Sequence, residues 1–342
     1  MGENGKREVV VVTGASAGLG RAIVQAFARE GARLGLLSRD RGRLEQAKAE
    51  VESLGGEALV LPTDVSDPDR VEAAAAAVER QFGPIDIWIN CAMATIFAQV
   101  WQIAPEEFRR ATEVSYLGFV YGTMAALRRM RPRNRGTIVQ VGSALAYRAI
   151  PLQSAYCGSK FAIRGFTESL RSELLHENSR IHLTMVQMPA LNTPQFDWAR
   201  NKMGKRAQPV APIFQPEVAA EAIVFAAHAR RRELYVSWSN WKVILANKVA
   251  PGVLDHLLSR SGYSGQLTDE PTDPRQPDNL FAAVPGNHGA HGRFDRRSRA
   301  DSSEFWLSRH GWLAAALGVG VIGVAAGALI GGRSLRALSE TR

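Results

Sequence analysis

Tyr156 and Lys160 stand four residues apart in the run Ser154-Ala155-Tyr156-Cys157-Gly158-Ser159-Lys160, and Ser143 lies upstream at the end of an apolar segment. On a helix, positions i and i+4 share a face, so the ammonium can sit beside the phenol and favour its ionised form. A free phenol titrates near ~10, too high to exchange protons readily near neutrality. A fixed neighbouring cation is one way to turn it into an acid and base. Ser143 supplies a hydroxyl that could orient the oxygen of a carbonyl or an alcohol. The same spacing also describes an aromatic ring packed beside a solvated charge. The elements around the pair decide between these readings.

From Glu8 to about Ser237, short β-rich runs alternate with longer amphipathic ones. Strands are predicted at Val9–Val12, Arg33–Leu37, Ala58–Leu61, Ile85–Ile89, Thr137–Val141, Ile181–Val186 and Leu234–Val236, with helices at Leu19–Glu30, Gly42–Leu54, Pro68–Phe82 and Glu106–Met130. Nearly continuous apolar strands interleaved with helices predict an α/β fold, a doubly wound parallel sheet of about seven strands with helices on both faces. In such sheets ligands collect at the carboxyl ends of the strands.

The loop Thr13-Gly14-Ala15-Ser16-Ala17-Gly18-Leu19-Gly20 follows the first strand and opens the first helix. Its glycines permit a tight turn and a close backbone approach to a pyrophosphate at the positive helix N-terminus, which makes Gly14, Ser16, Gly18, Leu19 and Gly20 cofactor-binding candidates. The second strand ends in Ser38-Arg39-Asp40. A small hydroxyl followed by arginine suits the 2′-phosphate of NADP, whereas a carboxylate would suit the ribose 2′-hydroxyl of NAD. The alternative has Arg39 pointing to water and Asp40 on the ribose; NADP (NADPH) is the expected cofactor.

Together these residues resemble the short-chain dehydrogenase/reductase family, in its group with a Thr-Gly-x-x-x-Gly-x-Gly loop and Tyr-x-x-x-Lys. The resemblance is close over roughly the first 190 residues and looser to about residue 237. It implies a Rossmann-like fold and an oxidoreductase acting on CH-OH donors, with Ser143, Tyr156, Lys160 and Ser115 catalytic and with Tyr156 and Lys160 also contacting the cofactor. It further implies that Asp64 and Val65 lie on the adenine side, Asn90 beside the adenosine, and Pro189 and Thr193 against the nicotinamide. Four positions depart from the family pattern, among them Cys91, where the family commonly carries an asparagine. Met93 replaces a glycine in Asn90-Cys91-Ala92-Met93, and Ala190 replaces the glycine after Pro189. Ser115 stands where the family often carries the asparagine of a proton relay, and it is shorter, with one oxygen.

At 342 residues and 46% hydrophobic content the chain can bury a large core. Its +9 charge invites a nucleic-acid reading, but much of the excess arginine lies late, as in Arg293-Phe294-Asp295-Arg296-Arg297, and no basic stripe interleaved with aromatics crosses the predicted domain. No nucleic acid is expected as a partner. Cys91 and Cys157 offer no CxxC spacing, and His288 with His291 lack a third ligand, so no metal site is expected. The N-terminus carries no export signal, which predicts a catalytic domain facing the cytoplasm.

The predicted organisation is a NADP-binding domain over 1–237, an apolar helical extension over 238–263, a Pro/Gly-rich linker over 264–304, a transmembrane anchor over 305–332 and a short basic tail over 333–342. The extension could close the core, cover the substrate cleft, contact a second subunit or lie on a bilayer. Trp312 to Gly332 has no charged residue and the ~20-residue length of a bilayer span. Gly323, Gly327 and Gly331 permit close helix pairing, and with it a homo-oligomer. The expected function is NADP(H)-dependent interconversion of a secondary alcohol and a carbonyl on a lipophilic small molecule, at a membrane. The alternative is a catalytically weak, membrane-tethered nucleotide-binding or scaffold protein, motivated by Met93 and Ser115.

Overall fold

Val9–Val12 are all fully buried, as a strand covered on both faces requires, and with Thr13 they form β1 (Val9–Thr13) in the interior of the sheet. The computed structural model describes residues 7–273 and 275–310. The other principal strands are β2 (Arg33–Ser38), β3 (Glu57–Pro62), β4 (Ile87–Asn90), β5 (Thr137–Ser143), β6 (His182–Met188) and β7 (Glu233–Tyr235). They make one parallel sheet in the order β3-β2-β1-β4-β5-β6-β7. The predicted strands are all present, with ends shifted by one or two residues. The winding direction reverses between β1 and β4, which places a topological switch point at their carboxyl ends.

Helices α1 (Gly18–Arg29), α2 (Arg41–Ser53), α3 (Pro68–Phe82), α4 (Pro105–Thr112), α5 (Gly118–Met130), α6 (Ser154–His176) and α7 (Pro216–His228) provide the crossovers. Their starts follow local chemistry. Asp40 caps α2 by accepting from Arg43 N at 2.8 Å, and Asp67 caps α3, with Pro68 in its first turn. The single helix predicted over Glu106–Met130 is instead α4, a π-helical turn at Glu113–Leu117, and α5. Such a turn carries an extra residue and shifts the face that follows it. Two further helices, α8 (Trp238–Val249) and α9 (Pro251–Ser261), form the predicted apolar extension.

The stretch from 264, predicted as an irregular linker, is part of the same compact unit as the domain up to Ser302. It does contain long irregular pieces, but Leu267–Pro271 pairs with Lys205–Ala207, and Ser298–Arg299 joins a small parallel sheet with Ile213–Phe214 and Ala190–Leu191. Leu280 is fully buried in the core cluster that contains Val65, Val71 and Val114. Ala290 and Phe294 are buried as well, and side-chain bonds join Asp278 to Arg200, Arg293 to Asp197 and Asp295 to Asn192, partners that composition does not reveal.

The second unit comprises 303–342, and its described part includes a short helix over Ser303–Arg309 in which Trp306 stacks on His310. The predicted span from Trp312 to Gly332 and the tail over 333–342 lie outside the described residues. Among the described residues, no helix is long and apolar enough to cross a membrane.

Candidate active site

A cavity of about 490 Å³ opens at the carboxyl ends of the strands. Gly14, Ser16, Gly18, Leu19, Gly20, Ser38, Arg39, Asp64, Val65, Ser143, Tyr156, Lys160, Pro189 and Thr193 all line it. Asn90 and Ser115 do not. Gly14 has φ +74°, and a Cβ there would lie 2.9 Å from Ala92 Cα. At Gly20 a Cβ would fall 2.1 Å from Gly14 O, so the loop closes on itself only without side chains. Thr13 Oγ1 accepts from Cys91 N at 2.9 Å and Ala92 N at 3.1 Å, tying this loop to the end of β4.

Around the end of β2, two arginines are crowded by burial. Arg39 Nη2 and Nη1 donate to the carbonyls of Asn279 and Leu280, at 2.5 and 3.3 Å. Burial first, and then the neighbouring Arg110 cation, hold Arg39 below the usual guanidinium range. Arg110 in turn donates to Asp64 and Ser66 and to Leu280 O. Burial alone would raise the Asp64 carboxyl, but its bonds with Arg110 and Ser66 outweigh it and hold the group below its ordinary value. Ser38 Oγ is buried with no hydrogen-bond partner, and Arg43 Nε faces Asp40 Oδ2 in an ion pair at 3.7 Å, beyond hydrogen-bond reach. Both residues line the cavity, and a phosphate oxygen is the kind of group that would satisfy the Ser38 hydroxyl. The dinucleotide site thus fits such a cofactor in its glycine loop and in this orphaned donor.

Ser143 ends β5, and Tyr156 and Lys160 occupy the first two turns of α6. Lys160 is 3% exposed and its Nζ donates to Val141 O at 2.7 Å, while lying 4.7 Å from the Phe119 ring centre and 5.4 Å from that of Tyr156. Burial pulls this ammonium down to about 8. Burial also pushes the Tyr156 phenol above its usual value, and a hydrogen bond with Ser143 pulls it part of the way back. The expected lowering of the phenol by Lys160 is therefore not the dominant effect here: desolvation is, because both groups are withdrawn from water. Cys91 shares the site, its thiol pushed up to about 12 by burial with Lys160 acting the other way.

The family model described as short chain dehydrogenase matches residues 8–203. This chain belongs to the short-chain dehydrogenase family. It is an oxidoreductase of a family that uses NAD(P)(H), and the non-catalytic alternative is set aside. Among its relatives, the oxidoreductase YxnA of Bacillus subtilis is 30% identical over 285 residues, 83% of this chain and 80% of that protein. The fatty acyl-CoA reductase of Acinetobacter baylyi is 31% identical over 259 residues, 75% and 85% of the two chains. The 3-dehydrosphinganine reductase of Danio rerio is 34% identical over 224 residues, 63% and 67% of the two chains.

Two of the candidate residues have other occupations in this short-chain dehydrogenase. Asn90 is fully buried: its Nδ2 donates to Thr123 Oγ1 and Gln140 Oε1, both at 3.0 Å, and its Oδ1 accepts from Trp88 Nε1 at 2.9 Å. Every polar atom of its side chain is thus used in bracing β4 against β5 and α5. Ser115 sits in the π turn, donates to Ala94 O at 2.7 Å and accepts from Ala94 N at 2.9 Å. One hydroxyl pins the strand-end segment that carries Met93.

Sequence reasoning missed several residues of the wall. Gln153 Nε2 donates to Gln266 Oε1 at 2.7 Å, and Gln266 Nε2 donates to Pro151 O and Gly262 O, so the turn after α9 holds the loop leading into α6. Arg148 donates to Asn247 Oδ1 and Asp255 Oδ1, tying α8 and α9 to the segment after β5. Gly18 N, at the start of α1, donates to Gly289 O at 2.9 Å. No local motif marks these partners, which apart from Gln266 and Gly262 are more than ninety residues apart. The nearest signal was the polar glutamine at 266 closing the turn Gly262-Tyr263-Ser264-Gly265.

Proposed function

We propose that this short-chain dehydrogenase interconverts a secondary alcohol and a carbonyl on a lipophilic substrate, with NADP(H) as its cofactor. One observation carries the reading: a single cavity is lined by the glycine loop and Ser38–Arg39, by Ser143, Tyr156 and Lys160, and by Val210, Val243, Leu254, Leu257 and Leu258. Nucleotide-binding groups, a proton donor and an apolar wall share one enclosure.

NADPH, when bound, supplies the hydride for the carbonyl carbon. Ser143 and Tyr156 donate hydrogen bonds to the carbonyl oxygen, and Tyr156 gives up its proton as negative charge grows there. Lys160, with N–H groups beyond the one on Val141 O, binds the nicotinamide ribose and offsets charge left on the phenolate. Oxidation of the alcohol runs the same path backwards. Ser115 is a positioning residue for the segment after β4.

Preference for NADP is supported by the orphaned Ser38 Oγ, by the like-charged Arg39 and Arg110, and by Asp40, whose carboxylate is engaged as a helix cap and with Arg43. An apolar substrate is supported by the five residues named above and by two relatives named for fatty acyl-CoA and 3-dehydrosphinganine. The uncharged run from Trp312 to Gly332 supports a single C-terminal anchor. The test is NADPH and NADH consumption across matched long-chain and short polar carbonyls. Faster turnover with NADPH on long-chain carbonyls is expected; a preference for the polar set would remove the lipophilic assignment, and a preference for NADH would remove the cofactor assignment.

A further inference from the structure

The outer face of the α8–α9 pair is apolar where a protein surface ordinarily is not. Trp238, Trp241, Leu245 and Val249 recur every three or four residues on α8, and Val253 and Leu257 do so on α9; all are about half exposed or more, with Leu245 at 63% and Val249 at 75%. The same two helices present Val243, Leu254, Leu257 and Leu258 to the cavity. Leu257 belongs to both surfaces, so the apolar wall of the cavity is continuous with the apolar exterior.

The charges on this face identify what covers it. Between Trp238 and Ser261 the sole carboxylate is Asp255, and Arg148 Nη2 bonds it at 2.6 Å. Lys242, Lys248 and Arg260 lie on the same helices and form no ion pair among the described residues. A second copy docked by this face would bring its lysines against their counterparts, which like-charge repulsion opposes. An anionic lipid surface meets every feature at once: tryptophans at interfacial depth, aliphatic side chains just below, and lysines extended towards the headgroups.

We propose that α8 and α9 lie on an anionic bilayer surface and that a lipophilic substrate passes from the bilayer into the cavity at Leu257. The passage rests on the lipophilic-substrate reading above, whereas the docking does not.

The docking is read on the full chain without substrate. Leu245→Cys carries an environment-sensitive fluorophore, which Cys91 and Cys157 will not compete for because both are buried. Quenching by brominated acyl chains is measured on phosphatidylcholine vesicles with and without phosphatidylglycerol. Several-fold stronger quenching is expected at position 245 than for the same label in Glu173→Cys on exposed α6, with a further gain on phosphatidylglycerol that salt removes. Equal quenching at both positions, no binding to the vesicles, or a blue shift that grows with protein concentration in their absence each overturns the docking.

The passage is read by kinetics. Leu245→Glu with Val249→Glu, neither of which lines the cavity, is expected to raise KM for a long-chain carbonyl carried in vesicles by about tenfold. Values for a short soluble carbonyl should stay unchanged, which shows that the variant is folded. An unchanged KM for the vesicle-borne carbonyl overturns the passage. If the parent enzyme turns over no long-chain carbonyl at all, the substrate reading fails while the quenching result stands.

Discussion

The two walls of the cavity are built on different principles. The cofactor wall comes from strand ends and the turns beside them, and its polar groups are closely tied: Thr13 holds the end of β4, Asp64 holds Arg110, and Asp40 caps α2. The other wall comes from α8, α9 and the loop at Gln208–Pro212, is largely aliphatic and faces outward on its far side. A constant ligand rewards fixed donors at fixed positions, whereas a flexible apolar chain needs area and a way in. Ser143, Tyr156 and Lys160, to which the proposed chemistry is assigned, belong to the first wall, where β5 and α6 limit their freedom.

The sharpest way to break this contrast is at the proton donor. Tyr156→Phe keeps the ring and removes the hydroxyl, and turnover should fall by about 10³-fold with NADPH affinity unchanged in a fluorescence titration. Residual activity near the parent's would take the chemistry off this wall. A smaller but still large effect is expected at Leu280→Ala. The fully buried side chain lies in the domain core, and its removal should cost about 2–5 kcal/mol in denaturant unfolding. A negligible loss would return 264–302 to the status of a linker.

Arg39→Ala separates cofactor recognition from catalysis. Losing a charge-assisted contact worth roughly 1.5–3 kcal/mol should raise KM for NADPH by about 10- to 100-fold and leave NADH nearly unaffected. Equal effects on both would mean that Arg39 serves the fold, through Asn279 and Leu280, and not the 2′-phosphate.

The smallest effect concerns pH. Burial lowers Lys160 to about 8 from its ordinary 10.5, so between those values the unfolded chain holds a proton that the folded chain has released. The cost of burying this cation is present in full below pH 8 and declines as pH rises through the window. Lys160→Met should therefore melt higher than the parent at neutral pH, with the difference shrinking as pH approaches 10.5, when both are scanned without cofactor. A constant difference in Tm across that range would show that the ammonium is not desolvated as the geometry requires.

How much of this was legible depended on distance along the chain. The glycine loop, Ser143 and the Tyr156–Lys160 pair are contiguous patterns tied to a strand end or a helix start, and the structure gathers them in one cavity. The bracing role of Asn90 was not legible, because its partners Trp88, Thr123 and Gln140 come from three elements that the fold alone brings together. Ser115 stands at the family's relay position, and its oxygen completes a reciprocal pair with Ala94 in a π turn that helical periodicity does not reveal.

The sequence by itself determined the parallel α/β fold, the glycine loop and the spacing of Ser143, Tyr156 and Lys160, because hydrophobic period and local spacing are short-range properties. Tertiary structure alone decided that Asn279, Leu280 and Gly289 return to the cleft and that Lys160 is desolvated. Backbone carbonyls belong to every residue, so their use leaves no trace in composition, and burial is a property of neighbours that only the folded chain supplies.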